Sequence, residues 1–172
     1  VGYNPHHGGV VGDIKDYREF MRIADISYYC NEARLINTDG TYSILGDPTE
    51  AALLTMAEKI YDYGSDDQVN YVKESIFPFD AERKLMSVVA TDTYEKSFVF
   101  VKGSPDHVLK KCTHYWNGTK SVRLTDQVLE EIHVHYDNLA AQALRVLATA
   151  YKPATKHPET MEHAESELIY TG

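Results

Sequence analysis

A chain of 172 residues, 43% of them hydrophobic, can bury a real core and fits one domain or a domain with a small appendage. Its formal net charge of −9 disfavours DNA or RNA as a partner, because phosphate backbones need clustered Lys and Arg; a small anion in a local pocket is not excluded. No run approaches the ~18 apolar residues of a membrane helix, so no direct membrane contact is expected, and Cys30 and Cys112 form no C-x-x-C and read as buried thiols.

Residues 1–12 are rich in Gly, His and Pro and read as a linker. Asp13 is a plausible N-cap, and Ile14, Tyr17, Met21, Ala24 and Tyr28 recur at helical spacing, which predicts a helix to about Cys30. Asn37–Gly40 is a turn, followed by an extended piece from Tyr42 to Leu45. The next helix has a clear start. Asp47 suits the N-cap, Pro48 suits N1, and Glu50 at N3 completes a capping box. Its apolar face, Leu53, Leu54, Ala57, Ile60 and Tyr61, ends near Tyr63.

From Ile76 the pattern turns to strands. Met86–Ala90 and Ser97–Val101 form a predicted hairpin, and Gly103 ends its second arm. Ser104-Pro105-Asp106 opens a short helix to about Cys112. Tyr115-Trp116 and Ser121–Arg123 flank an Asn117-Gly118 turn. A helix starts at Thr125, with Val128, Leu129, Ile132, Tyr136, Leu139 and Ala143 on one face, and Arg145–Lys152 reads as the final core strand. Residues 153–167 are polar and read as a loop with one short helix. The expected fold is α+β: a mainly antiparallel twisted sheet flanked by helices.

Several residues combine charge or aromaticity with a rigid position. Lys102 ends an apolar strand beside Gly103 and a helix start, where a phosphate could be held; the plain alternative is a strand-end Lys reaching into water. Phe79 could stack on a base or pack in the core. Arg83 and Lys84 are adjacent cations, usually solvated, of which one could face a phosphate. Glu50, with Thr49 beside it, could accept from an adenine amino group, although a capping role explains it alone. Arg145, at a helix-to-strand junction, could clamp phosphate or make a surface ion pair. The eight histidines show no zinc-like spacing, so no metal site is expected. No G-x-x-x-x-G-K-[ST] or G-x-G-x-x-G occurs. A nucleotide would be gripped by stacking and lysines, not by a glycine loop.

Four blocks occur in order: Gly46-Asp47-Pro48-Thr49-Glu50; Phe77-Pro78-Phe79-Asp80-Ala81-Glu82-Arg83-Lys84; Val101-Lys102-Gly103-Ser104-Pro105-Asp106; and Gln142 to Ala148. Together they resemble the nucleotide-binding domain of type II P-type cation-transporting ATPases, bacterial calcium-pump-like, over roughly residues 13–152. The resemblance implies that Phe79 stacks on adenine and that Lys102 lines the deep end of the pocket beside Gly103. Lys84 would sit near the nucleotide and Met86 among the apolar residues around the base. Thr49 and Glu50 would contact the adenine edge, Arg145 would reach the phosphates, and Leu147 would pack at the pocket. Some relatives carry an Arg where this chain has Ala81; its contact would be lost or taken over by Arg83.

The family's Asp-Lys-Thr-Gly-Thr, Thr-Gly-Glu and Gly-Asp-Gly motifs are absent from these residues. The resemblance therefore implies a piece that binds ATP or ADP but neither autophosphorylates nor pumps. Mg²⁺ would come mainly from a separate phosphorylation domain. The implied partners are the phosphorylation and actuator domains of one parent membrane protein, with this domain cytoplasmic and monomeric. Residues 1–12 would link to the phosphorylation domain, 13–155 would form the nucleotide-binding domain, and 156–172 would lead out toward the hinge, with both ends close together. Calcium is the expected ion; magnesium, sodium and proton pumps share the blocks. A haloacid-dehalogenase-type phosphatase needs an Asp-x-Asp, which is absent. An interaction domain that has lost the nucleotide remains the alternative.

Overall fold

The computed structural model describes residues 2–8, 18–63, 68–154, 158 and 160–172. Its chain divides into two compact units, residues 1–70 and 71–172. The predicted helix start at Asp13, Ile14 and Tyr17 lies outside the described residues.

In the first unit, helix α1 (Arg18–Tyr29) and helix α2 (Pro48–Tyr63) enclose the hairpin β1 (Arg34–Thr38) and β2 (Thr41–Leu45) in sequence. Thr38 pairs with Thr41, so Asp39-Gly40 is a two-residue loop. Both of its residues have positive φ, +52° and +83°, the geometry that matches the twist of the strands it joins. The helices share a core of Met21, Ala24, Ala57, Ile60 and Tyr61. The buried Tyr61 hydroxyl donates to Asp25 Oδ1 at 2.9 Å, so its polar end is satisfied inside that core.

The second unit holds β3 (Tyr71–Asp80), β4 (Leu85–Asp92), β5 (Ser97–Gly103), α3 (Pro105–Leu109), β6 (Cys112–Trp116), β7 (Ser121–Arg123), α4 (Asp126–Ala141), β8 (Ala148–Ala154), α5 (Met161–Ala164) and β9 (Leu168–Tyr170). Seven strands form one sheet in the order β3-β4-β5-β8-β9-β6-β7. Every neighbouring pair is antiparallel except β6 with β9. This is the expected α+β class, a mixed sheet with helices. One face of the sheet contributes Leu85, Val89, Val99, Val101, Ala148 and Ala150 to a core closed by Val108, Ala164 and Leu168.

The hairpins and caps follow their local chemistry. Thr125 Oγ1 accepts from Val128 N–H at 3.3 Å and starts α4. Asn117 Oδ1 takes the N–H groups of Thr119 and Lys120 and closes the β6–β7 turn.

Five expectations need correction. β3 begins at Tyr71, not Ile76; its first half is an exposed edge whose charged residues hide a strand pattern. The helix after Ser104 ends at Leu109, short of Cys112, which opens β6. The last predicted core strand begins at Ala148 rather than Arg145. It starts late because α4 ends in a Schellman-type cap: Leu144 N–H bonds to Leu139 O and Ala143 N–H to Ala140 O, with Ala143 at φ +58°. The same cap puts Ala143 beyond the helix it was expected to line, and α4 buries none of its residues fully. Nor is Arg145–Lys152 the final strand: segment 156–172 supplies α5 and β9, and Leu168 is fully buried.

Candidate functional site

Gly46–Glu50 is built as a helix start. Gly46 has φ +107°, and a Cβ there would lie 3.1 Å from Ala33 Cα, so both conformation and packing favour glycine. Asp47 Oδ1 accepts from the N–H groups of Thr49 (2.8 Å) and Glu50 (3.1 Å), the predicted N-cap. Glu50 Oε2 accepts from the N–H of Glu32 at 3.1 Å, and the Glu50 carbonyl accepts from Asn31 Nδ2 at 2.8 Å. Asn31 is buried, and it also binds Ser27 O and the N–H of Ala33. It joins the end of α1 to the first turn of α2. Nothing in the sequence marked this residue, because an Asn after a helix reads as an ordinary turn. Thr49 and Glu50 are both half-buried.

The other expected residues lie in the second unit. Directly opposite strand residues share a face of the sheet. Met86 pairs with Lys102, and Lys102 pairs with Thr149, so the three form one row across β4, β5 and β8. Lys102 is only 6% exposed, so it does not reach into water as a strand-end lysine would. Tyr71 packs edge-on against Phe98 and Phe100, with ring centroids 5.9 and 5.1 Å apart. Phe98 and Phe100 alternate with the core residues of β5 and lie on the Lys102 face.

Phe79 sits where β3 bulges. Phe77 pairs with Ser87 and Asp80 with Leu85, so Pro78 and Phe79 together face Met86. The ring is 61% exposed, which removes core packing as its explanation. Residues 80–84 then form a tight turn. Asp80 Oδ1 accepts from the N–H groups of Glu82 and Arg83, each at 2.9 Å. Those backbone donors, Arg83 first, hold the Asp80 carboxyl below its usual range. Lys84 closes the turn at φ +53° with its side chain exposed.

Gly103 is needed by the neighbouring strand. A Cβ there would run into Lys84 O and would lie 2.6 Å from Leu85 Cβ and 2.7 Å from Leu85 Cα. The Lys84 carbonyl instead takes the N–H of Ser104 at 2.9 Å. The second and third sequence blocks are thus one interlocked structure. Leu147, half-buried, and Arg145, exposed, precede β8, whose first residue Ala148 pairs with Gly103.

Arg83 is where the structure departs most from expectation. Its Nη1 pairs with Glu165, and its Nη2 donates to Pro78 O at 2.7 Å. Glu165 is 1% exposed and also accepts from Ser87 Oγ at 2.7 Å. Arg83 therefore braces the turn, with both terminal nitrogens engaged by protein acceptors. The sequence held no signal for this pair, because its partners stand 82 positions apart. Among the described residues no cluster of His, Cys, Asp or Glu could hold a metal ion, and no helix is long and apolar enough to cross a membrane. An open pocket of about 290 Å³ between α3 and α4 is lined by Asp106, His107, Lys110 and His133, and by none of the expected residues.

Comparison with known proteins gives the following similarities. A family model described as the P-type ATPase, cytoplasmic domain N, matches residues 19–172. A calcium-transporting ATPase of Bacillus subtilis is 30% identical over all of this chain and 20% of its own length. Calcium-transporting ATPase 1 of Lactococcus lactis is 35% identical over 81% of the chain and 16% of its own length. The human calcium-transporting ATPase type 2C member 1 is 32% identical over 89% of the chain and 17% of its own length. The chain thus spans about a fifth or less of the length of these curated relatives.

Proposed function

The chain belongs to the P-type ATPase cytoplasmic N domain family, and from that premise we propose that it binds ATP and presents its terminal phosphate to an aspartate in a separate phosphorylation domain. One observation carries this reading. A buried cation, Lys102, lies in a row with Met86 and Thr149, while the next site along the sheet carries an aromatic ring, Phe79, exposed to solvent. A lysine at the end of a rigid strand can offer its charge to a phosphate, and a solvent-facing aromatic on a braced turn is suited to stack on a base.

In this reading Phe79 holds adenine, with Met86 beside the ring. Lys102 and Lys84 serve the nucleotide's charged groups, and Arg145 reaches the phosphates from the approach to β8 with Leu147 packed behind it. Gly103 acts by letting β4 pass close. The reactive Asp, most of the Mg²⁺ coordination, and the actuator domain belong to the rest of the parent. The parent is then an ATP-driven cation translocase in a membrane, with calcium the first candidate ion because the relatives are calcium-transporting. Residues 1–12 are assigned to the link with the phosphorylation domain.

The test is calorimetric titration of the chain with ATP and ADP. Both should bind, because the grip is on the base. Phe79→Ala should weaken binding by about 1–3 kcal/mol, the scale of base–aromatic stacking, and Lys102→Ala should weaken ATP binding as well. Unchanged affinity in both variants would overturn the site. Absence of binding by the unaltered chain would favour an interaction domain that has lost its nucleotide.

A further inference from the structure

We infer that Glu165 is a positioning residue for the nucleotide: through Arg83 it sets the turn that carries Phe79 and Lys84. This rests on the nucleotide-binding reading above. Glu165 is fully buried, and its hydrogen bonds go to Arg83 and Ser87, neither of which is assigned to the ligand. Its carboxylate takes Arg83 Nη1 and the Ser87 hydroxyl. Arg83 then spends Nη2 on the carbonyl of Pro78, the residue before Phe79. One guanidinium therefore fixes both ends of the 78–84 segment. The turn needs such a brace, because Lys84 sits at φ +53°, a backbone region disfavoured for a residue with a side chain.

Two further contacts tie the C-terminal segment to the same neighbourhood. Lys152 Nζ donates to the carbonyls of His163 and Ser166, which anchors the backbone of α5. The Thr171 hydroxyl lies 2.7 Å from that of Thr149, and Thr149 N–H donates to Gly172 O. Thr149 is the neighbour of Lys102 in the cross-strand row. The last dozen residues thus brace the Phe79–Lys84 turn on one side and the Lys102 row on the other. Such supporting shells decide whether contacting groups are held to the fraction of an ångström that binding needs.

The test compares Glu165→Ala, Glu165→Gln and Lys152→Met in the full chain, by ATP calorimetry well below each unfolding midpoint. Glu165→Ala should lose about 3- to 30-fold in ATP affinity, the range found for residues that act without touching the ligand. Glu165→Gln keeps an acceptor for both partners and should recover most of that loss. Lys152→Met loosens α5 without touching the turn and should bind within about twofold of the unaltered chain, as a site remote from the ligand does. Amide resonances of Phe79 and Lys84 should move in Glu165→Ala before ATP is added, and less in Lys152→Met. Equal affinity of Glu165→Ala and the unaltered chain would overturn the inference and leave the nucleotide reading intact. So would an equal loss in Lys152→Met, since the role would then be general stability. If Glu165→Ala does not fold, Arg83→Lys decides. It keeps the charge but cannot bridge Glu165 and Pro78, so unchanged affinity there overturns the inference. No ATP binding by the unaltered chain would overturn both.

Discussion

Two charged turns of this molecule are fixed in different ways. At Gly46–Glu50 the short polar side chains close on nearby backbone. Asp47 caps the two N–H groups that follow it, and Glu50 reaches the backbone of Glu32. At Asp80–Lys84 local closure by Asp80 is only half of the support. The rest comes from a carboxylate far along the chain and from the passage of β4 beside Gly103. The first is a helix cap, with added contacts from Asn31 and Glu32 just past the end of α1. The second leaves Phe79 and Lys84 pointing outward because other residues hold its backbone. A motif dense in charge therefore does not put every charge on a ligand. Arg83 and Asp80 are scaffolding, and the exposed pair beside them is available for contact.

The comparison can be tested from the largest effect to the smallest. Gly103→Ala should be the most damaging, at about 3 kcal/mol, because the added methyl meets the backbone of β4 with no space to yield. Urea denaturation of the chain would check it, and a loss under 1 kcal/mol would mean that the two blocks are not interlocked. Asp47→Ala should cost about 1 kcal/mol, the usual value of an N-cap. Its effect should stay local, read as faster amide exchange in the first turn of α2 with the second unit unchanged. Phe79→Ala should change stability by no more than about 0.5 kcal/mol, despite the size of the ring, since most of it already faces water. A loss of 2 kcal/mol or more would mark Phe79 as a core residue and remove the contrast between the turns.

How far the sequence could be read depended on how local each cause was. The caps at Asp47 and Thr125 and the β4–β5 hairpin rest on neighbours a few positions apart, and each emerges as expected; the turn expected at Asn37–Gly40 narrows to Asp39-Gly40, because Asn37 and Thr38 pair in β1. The first half of β3 was missed because Val72, Lys73 and Glu74 lie exposed on a sheet edge, where no burial imposes alternation. β9 has three residues after a polar stretch, too few for any period to show. α4 has the apolar spacing that was read, yet its residues are at most half-buried, because spacing states what a face could bury and not what it meets. Within the candidate site, the residue types were legible through the four blocks. Asn31, Glu165 and the Met86–Lys102–Thr149 row were not, since each depends on partners brought together only by folding.

The place of β9 also bears on how this sheet is completed. It lies between β8 and β6, so among the described strands the β6–β7 hairpin joins the rest of the sheet through it. Those two strands are made long before β9, and the hairpin must wait with an unsatisfied edge until residues 168–170 are available. Pairing over such a long separation in sequence is slow, because loop closure comes before any contact rewards it. Assembly of the sheet should therefore be a late event during synthesis. Until then the hairpin is the segment most exposed to pairing with the wrong strand, and the most natural client for a chaperone.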